Sequence, residues 1–83
     1  MNSNNIIDIR TLIEYQKGHI AGAKHIEKYQ LLNNPEKYLK KKEIYYLYCN
    51  SGIQSKMVAK KLNSMGYSTI SIEGGYYNYL LRN

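Results

Sequence analysis

Residues 43–55 read EIYYLYCNSGIQS, and this stretch decides the fold. Its apolar first half, Glu43 to Tyr48, predicts a buried strand, and the amphipathic residues that follow Ser55 predict a helix. Cys49, the only cysteine of the chain, lies where the strand gives way to the loop. A loop that opens a helix directs main-chain N–H groups toward one point, which stabilises a thiolate and lowers its pKa below the ~8.5 of a free thiol. The stretch therefore predicts a reactive cysteine, although burial as a small apolar side chain is the more common role of a free cysteine.

The segments on either side of this stretch alternate between strand and helix patterns. Apolar, β-branched runs predict strands at residues 5–9, 24–26, 43–48 and 68–72. Amphipathic spacing, caps and glycines predict helices at residues 10–17, 29–32, 35–41, 56–65 and 76–81. Such alternation is typical of an α/β fold, here a small parallel sheet flanked by helices, and residues 1–83 are expected to form one domain.

Apolar side chains in two of these helices are expected to contribute to the core. The first helix offers three residues for burial: Leu12, Ile13 and Tyr15. The helix after the cysteine places four residues on one face: Met57, Val58, Leu62 and Met65. The three lysines at 40–42 are expected to complement the dipole of the helix that begins at Pro35. The ten tyrosines, in a chain without Phe or Trp, are expected to be half-buried with their hydroxyls reaching water.

Length, charge and cysteine content limit the locations and partners that fit this chain. With 83 residues it can bury roughly 60–65% of its unfolded surface, which supports a single modest core. One cysteine cannot form a disulfide within the chain, and residues 1–5 lack the features of a secretory signal, so we expect a cytoplasmic protein. No apolar run reaches the ~18 residues of a membrane span. The net charge of +6 comes mostly from dispersed lysines, which favours a solvated surface over a nucleic-acid interface.

Four stretches of the chain share their pattern with a known family. They are 7–15 (IDIRTLIEY), 18–26 (GHIAGAKHI), 48–55 (YCNSGIQS) and 73–79 (EGGYYNY). In this order and spacing they resemble single-domain rhodaneses, a family of α/β sulfurtransferases. Rhodanese domains usually begin with a further strand and helix, whereas only four residues precede Asn5. Either the domain is trimmed or its sheet has lost that edge strand, and residues 68–72, which lie beside it in the family, are then expected to form an exposed edge open to pairing.

The resemblance implies a sulfurtransferase in which Cys49 is the sole nucleophile. Its thiolate attacks a small anionic sulfur donor such as thiosulfate, holds the sulfur as a persulfide, and passes it to a thiol or cyanide. Main-chain N–H groups of the loop would bind the anion, and they belong to Asn50, Ser51, Gly52, Ile53 and Gln54. Ser55 either donates its hydroxyl to the sulfur or caps the next helix. Asp8 and Arg10 are expected to support the loop, and no cofactor or metal is expected.

Departures from the family pattern keep two other functions open. Gln54 stands where the family often has Arg, so we expect weaker affinity for dianionic donors, which Lys56 or Lys60 could offset if they do not simply face solvent. This change, the missing strand and Tyr79 in place of Trp favour a catalytically weak module for protein binding or regulation as the alternative. A nucleic-acid binder would rest only on the net charge and the tyrosines. A phosphatase is disfavoured, because the position of its C-x5-R arginine is Ser55.

Overall fold

Strand and helix alternate along residues 5–82, the part of the chain that the computed structural model describes. The strands are β1 (Ile6–Asp8), β2 (Lys24–His25), β3 (Ile44–Tyr48) and β4 (Ser68–Ser71). The helices are α1 (Leu12–Lys17), α2 (Lys28–Asn33), α3 (Pro35–Tyr38), α4 (Ile53–Ser64) and α5 (Gly75–Arg82). The alternation confirms the predicted α/β class. The expectation that residues 1–5 hold no secretory signal falls mainly on residues 1–4, which lie outside the described residues.

The four strands of residues 5–82 run parallel in one sheet with the order β2-β1-β3-β4. In the central pair, Asp8 of β1 lies beside Tyr48 of β3. Neighbouring parallel strands end at the same edge of a sheet, so the residues that follow β1 and β3 meet there. This register brings Arg10 and Cys49 to one edge.

Apolar side chains pack against both faces of the sheet. One face carries Ile7 and Leu47 and is covered by α2 and α4, which contribute Leu31, Val58 and Leu62. A smaller cluster lies on the opposite face, where α5 contributes two tyrosines. Its buried members are Ile6, Ile20, Ala23 and Tyr48, and the partly buried Tyr46, Ile72, Tyr76 and Tyr79 pack against them. The sheet is therefore a buried middle layer, as an all-parallel sheet requires. No helix within residues 5–82 combines the length and the apolar character that crossing a bilayer requires.

Helix α1 contributes less to the core than predicted. Leu12 and Ile13 are 53% and 66% exposed, and Tyr15 alone of the three expected residues is partly buried. A capping box holds the helix: the Glu14 N–H donates to Thr11 Oγ1, and the Thr11 N–H donates to Glu14 Oε1. Local hydrogen bonds rather than burial therefore define α1, and the predicted burial of Leu12 and Ile13 is wrong.

Helix α4 buries a stripe that differs from the predicted one. Its buried residues have the spacing i, i+3, i+4 and i+7, and they are Ser55, Val58, Ala59 and Leu62. Met57 is 63% exposed because it lies beside this stripe, and Met65 is 39% exposed because it follows the last helical residue. The prediction is therefore confirmed for Val58 and Leu62 and wrong for the two methionines.

Helix α3 ends at Tyr38, three residues earlier than predicted. Leu39 is already extended, with φ −120° and ψ 142°, and its side chain is buried. Packing of Leu39 into the core thus turns the chain toward β3 before another turn of helix can form. The lysines at 40–42 therefore follow the end of α3 instead of forming its last turn, which contains Lys37.

Strand β4 forms an edge of the described sheet, as expected, but this edge is partly closed. The Thr69 N–H donates to Asn63 Oδ1 at 2.8 Å, and the Thr69 carbonyl accepts from Asn63 Nδ2 at 3.1 Å. The Asn63 side chain thus pairs with Thr69 as the backbone of a neighbouring strand would. The expectation of an edge open to pairing is therefore wrong at this residue.

Candidate active site

Cys49 follows the last residue of β3, and hydrogen-bond donors surround its sulfur. The main-chain N–H groups of Gly52 and Ser55 donate to Sγ, with N–S distances of 3.2 and 3.3 Å, and Ser55 Oγ lies 3.6 Å from Sγ. Burial favours the neutral thiol and acts to raise the pKa of Cys49, but hydrogen bonds from Ser55, Gly52 and Gln54 outweigh it and lower the pKa. The thiolate is therefore stabilised even though Cys49 is only 6% exposed.

Helix α5 holds the carbonyl groups of the cysteine loop. The N–H groups of Tyr76 and Tyr77, in the first turn of α5, donate to the carbonyl oxygens of Cys49 and Asn50 at 2.9 and 3.0 Å. Gly75 lies directly against these carbonyls, and a Cβ at this position would come within 2.7 Å of the Asn50 oxygen. The amino end of α5 therefore fixes the conformation of the loop through hydrogen bonds to its carbonyl groups. Sequence reasoning missed this role, for which the glycine pair at 74–75, where α5 begins, was the available signal.

Ser55 connects the sulfur of Cys49 to strand β4. Its side chain is fully buried in the first turn of α4, and its Oγ lies 2.7 Å from Ser71 Oγ and 3.3 Å from the Gly52 carbonyl oxygen. Gly52, with φ 96°, is the residue that precedes α4, and the helix has no side-chain cap. Of the two roles expected for Ser55, helix capping is therefore wrong. The Ser55 hydroxyl instead lies beside the sulfur of Cys49.

Asp8 and Arg10 form a buried ion pair next to the loop. Arg10 Nη2 lies 2.7 Å from Asp8 Oδ2, and both side chains are almost completely buried. Arg10 Nη1 donates to Asn50 Oδ1 at 3.1 Å, and Arg10 Nη2 also donates to the Gly18 carbonyl at 2.7 Å. The ion pair is thus connected to the loop through the side chain of Asn50.

Two residues that sequence reasoning did not assign complete this network. The Tyr48 hydroxyl donates to Asp8 Oδ2 at 2.6 Å, and burial, reinforced by this hydrogen bond, raises the pKa of Tyr48. Glu14 Oε2 accepts from Asn50 Nδ2 at 2.7 Å, and this hydrogen bond lowers the pKa of Glu14. The expectation that tyrosine hydroxyls reach water is therefore wrong for Tyr48. For Glu14 the available signal was its place in the stretch 7–15.

The exposed part of the loop is arranged differently from the expectation. The Ile53 N–H is directed at Ser51 Oγ, at 3.3 Å, rather than at the sulfur, and the Ile53 side chain is 67% exposed. Gln54 Oε1 accepts from Lys28 Nζ at 2.9 Å. Lys28 is 26 residues from Gln54 in the chain, and no pattern in the sequence linked the two.

Among residues 5–82, two cavities are each lined by several residues of the loop. The smaller, here called the cysteine cavity, has a volume of about 260 Å³, and its lining includes Arg10, Glu14, Glu27, Lys28, Cys49 and Gln54. The larger, here called the α4–β4 groove, has a volume of about 550 Å³, and its lining includes Gly52, Lys56, Lys60, Asn63, Ser71 and Glu73. Lys56 and Lys60 are exposed and line the groove and not the cysteine cavity, which favours the reading that they face solvent over the one in which they offset the neutral Gln54.

Both histidines make contacts within the fold. His19 Nδ1 lies 2.8 Å from the Tyr15 carbonyl oxygen, and the two rings stack with centroids 3.8 Å apart. His25 Nε2 lies 2.7 Å from the Arg10 carbonyl oxygen. Nowhere in residues 5–82 do three or more His, Cys, Asp or Glu side chains gather in a way that could hold a metal ion.

Sequence comparison relates the whole chain to proteins of one kind. The rhodanese-like domain model matches residues 1–81. The putative sulfurtransferase YtwF of Bacillus subtilis (strain 168) is 37% identical over 70 residues, which cover 84% of this chain and 67% of that protein. The thiosulfate sulfurtransferase GlpE of Coxiella burnetii is 36% identical over 72 residues, which cover 86% of this chain and 66% of that protein. The chain spans no more than about two thirds of the length of the curated relatives that it matches.

Structural comparison agrees with the sequence match. The crystal structure of SSP1007 from Staphylococcus saprophyticus is similar to this one with a TM-score of 0.84 and 33% sequence identity, and the match covers 90% of this chain and 74% of that one. The likeness thus extends over most of the parallel sheet and its flanking helices. The chain therefore belongs to the rhodanese-like domain family.

Proposed function

We propose that this chain is a sulfurtransferase that carries sulfur as a persulfide on Cys49. In the first step the Cys49 thiolate attacks the outer sulfur of a donor such as thiosulfate. The new S–S bond forms on Cys49, the S–S bond of the donor breaks, and sulfite leaves with the bonding electron pair. In the second step a thiolate or cyanide attacks the terminal sulfur and the Cys49 thiolate is released. Charge and electrons balance in both steps, so the transfer needs no cofactor.

The hydrogen bonding of the Cys49 sulfur is the observation that supports this proposal. Sγ accepts hydrogen bonds from the N–H groups of Gly52 and Ser55, which lie at the start of α4, a helix of 12 residues. N–H groups at the amino end of a helix stabilise an anion, and because they are fixed before the reaction they cost no reorganisation during it. The same donors suit the thiolate before transfer and the persulfide anion after it.

The other loop residues have supporting roles in this proposal. Ser51 and Gln54 line the cysteine cavity and present polar side chains to the donor, and Asp8 and Arg10 position the loop through Asn50. The Arg10 guanidinium also lines the cavity, but it is bound to Asp8 and is not free to grip a phosphate as a phosphatase arginine does. The geometry therefore favours sulfur transfer over phosphoryl transfer.

The related proteins support the same chemistry in coarser terms. YtwF carries the name putative sulfurtransferase and GlpE the name thiosulfate sulfurtransferase, and sulfur transfer is what the two names share. Thiosulfate as donor, a thiol or cyanide as acceptor, and a cytoplasmic location, where a free thiol stays reduced, are our proposals for this chain.

Intact-mass measurement after incubation with thiosulfate tests the proposal. We expect the parent chain to gain the mass of one sulfur atom, and Cys49→Ser to gain none. Later addition of cyanide should remove the sulfur and release thiocyanate. Failure of the parent chain to gain sulfur at any pH with thiosulfate or another sulfane sulfur donor would overturn the proposal.

A catalytically weak module for protein binding or regulation is the second candidate. The observation that favours it is the burial of Cys49, which is 6% exposed and packs with the larger apolar cluster. Alkylation by iodoacetamide separates the two candidates. Fast modification of folded chain near neutral pH supports the enzyme, whereas resistance to modification until the chain is denatured supports the binding module.

A further inference from the structure

Lys28 brings a positive charge to the mouth of the cysteine cavity. It is the first residue of α2 and is half-buried, and it lines the cavity together with Cys49 and Gln54. Its Nζ donates to Gln54 Oε1 at 2.9 Å and lies 4.7 Å from the centre of the Tyr29 ring. These two contacts hold the ammonium group beside the loop that surrounds the sulfur.

The other charged side chains that line the cavity form no ion pair with this ammonium group. Arg10 is bound to Asp8, with Nη2 and Oδ2 2.7 Å apart. Glu14 and Glu27 also line the cavity, and each accepts hydrogen bonds from within the protein. Among the described residues of the cavity lining, Lys28 is therefore the cation that has no carboxylate partner.

The hydrogen bond from Lys28 also orients Gln54. An ammonium group can only donate, so Gln54 meets it with its amide oxygen. The amide nitrogen of Gln54 then keeps its N–H groups for another acceptor. An ammonium and an amide N–H group side by side match the oxygens of a sulfonate group, which carry negative charge and accept hydrogen bonds.

We infer that Lys28 and Gln54 together bind the sulfonate oxygens of the sulfur donor, and that Lys28 makes the cavity selective for anionic donors. This inference rests on the sulfurtransferase function proposed above. Without Lys28, the cavity lining keeps the carboxylates of Glu14 and Glu27, and its remaining cation, Arg10, is already paired with Asp8. A dianion such as thiosulfate then loses more affinity than a monoanion.

Helix stability does not explain a lysine at this position. A cation in the first turn of a helix is unfavourable, because the helix dipole is positive there. In Lys28→Gln the loss of the exposed contacts with Gln54 and Tyr29 is opposed by relief of this unfavourable dipole interaction. We therefore expect the variant to fold with a nearly unchanged denaturation midpoint, so that its kinetics report on donor binding.

The experiment measures thiocyanate formation at fixed cyanide with two donors, thiosulfate as the dianion and methanethiosulfonate as the monoanion. For Lys28→Gln we expect the KM for thiosulfate to rise about tenfold with kcat nearly unchanged, because a charge-assisted hydrogen bond to the donor is lost. The KM for methanethiosulfonate should rise clearly less. Lys28→Arg keeps the positive charge, and its KM should stay within about threefold of the parent value.

Lys42→Gln is the matched control. It removes the same charge from the turn before β3, at the end of that strand opposite to Cys49. An unchanged KM in Lys28→Gln, equal rises for the two donors, or an equal rise in Lys42→Gln would overturn the inference and leave the proposed function in place. A parent chain that takes up sulfur from neither donor would instead overturn the proposed function.

Discussion

The cysteine cavity and the α4–β4 groove lie on two sides of one loop and differ in what the loop presents to them. The groove is the larger, at about 550 Å³ against about 260 Å³, and it is lined by two lysines of α4. Cys49 nevertheless opens into the smaller cavity, where its sulfur receives main-chain N–H groups. Neither the size of a cavity nor the two lysines of α4 mark the side of the loop on which the proposed nucleophile lies. The direction of the backbone N–H groups does.

Several uncharged polar groups of the groove are instead already hydrogen-bonded within the protein. Asn63 satisfies the backbone of Thr69, and Ser71 shares a hydrogen bond with Ser55. A surface whose polar groups are already paired gains little by binding a ligand, because each pair must first be broken. The comparison therefore predicts that changes on the cavity side disturb stability and reactivity more than equivalent changes on the groove side.

The largest effect is expected where the ion pair supports the cysteine cavity. Asp8→Asn leaves the buried Arg10 guanidinium without a counter-charge, so the free energy of unfolding should fall by about 3–5 kcal/mol, as measured by urea denaturation. The matched change in the groove is Glu73→Gln, which alters an exposed carboxylate and should cost less than about 0.5 kcal/mol. Equal losses in the two variants would contradict the comparison.

The next largest effect is expected where α5 touches the loop. Gly75 has φ 58°, and an Ala side chain there would collide with the carbonyls of Cys49 and Asn50. We expect Gly75→Ala to lower the free energy of unfolding by about 3 kcal/mol, from left-handed strain plus weakened hydrogen bonds, and to slow alkylation of Cys49.

Gly66→Ala provides the control for this substitution. Gly66 also has a positive φ, 98°, but its nearest neighbours are atoms of the flexible Lys41 side chain, the first at 3.5 Å. Strain alone should cost about 1–2 kcal/mol there and leave the reactivity of Cys49 unchanged. If thermal denaturation gave the two alanine variants the same stability, contact with the loop would not be the cause.

A smaller effect is expected on the ionisation of the thiol. The pKa of Cys49 is lowered in the folded chain, so the midpoint of its alkylation rate against pH should lie below the ~8.5 of a free thiol. By linkage, this ionisation stabilises the folded chain above the unfolded pKa, and the contribution is lost as the pH falls through the folded pKa. Stopped-flow alkylation and urea denaturation across the same pH range measure the two consequences.

Ser55→Ala sharpens this prediction because the Ser55 hydroxyl contributes to the lowered pKa. Its removal should raise the alkylation midpoint toward the value of a free thiol, and should lower the free energy of unfolding by about 1–3 kcal/mol. Ser64→Ala, an exposed serine at the other end of α4, should change neither quantity. An alkylation midpoint that is unchanged in Ser55→Ala would show that the Ser55 hydroxyl does not stabilise the Cys49 thiolate.

The smallest effect is expected for the lysines of the groove. Lys60→Gln removes an exposed charge that does not line the cysteine cavity, so the KM for thiosulfate should change less than about twofold. The same thiocyanate assay that tests Lys28 measures it. A rise in KM as large as that of Lys28→Gln would mean that the donor binds in the α4–β4 groove and not in the cysteine cavity.

The sequence predicted the features that depend on neighbours along the chain. Strand β3 and the cysteine loop are contiguous, so the apolar run before Cys49 and the small residues after it were enough to place both. The stripe of α4 was only partly predicted, because its buried set includes Ser55 and Ala59, which hydrophobicity alone does not select. The early end of α3 depends on the burial of Leu39, which is a property of the finished core.

The missed parts of the site come from distant segments. Lys28 reaches Gln54 from the start of α2, and Tyr76 reaches the loop from the start of α5. The first contact uses a flexible side chain, which has no pattern in the sequence. The second uses a main-chain N–H group, for which the glycine pair at 74–75 was the only signal. The prediction that the Tyr48 hydroxyl reaches water failed for a similar reason. Only the register of β1 beside β3 brings this hydroxyl to Asp8.

The dependence of the loop on α5 has a consequence for the order in which the protein becomes reactive. Cys49 leaves the ribosome well before Tyr76 and Tyr77, whose amides hold the loop carbonyls. A nascent chain that ends before these tyrosines contains the thiol, but it lacks the two hydrogen bonds that hold the loop around the thiol. Under the proposed function, the thiol therefore acquires its full set of supporting hydrogen bonds only when the final helix has docked on the loop.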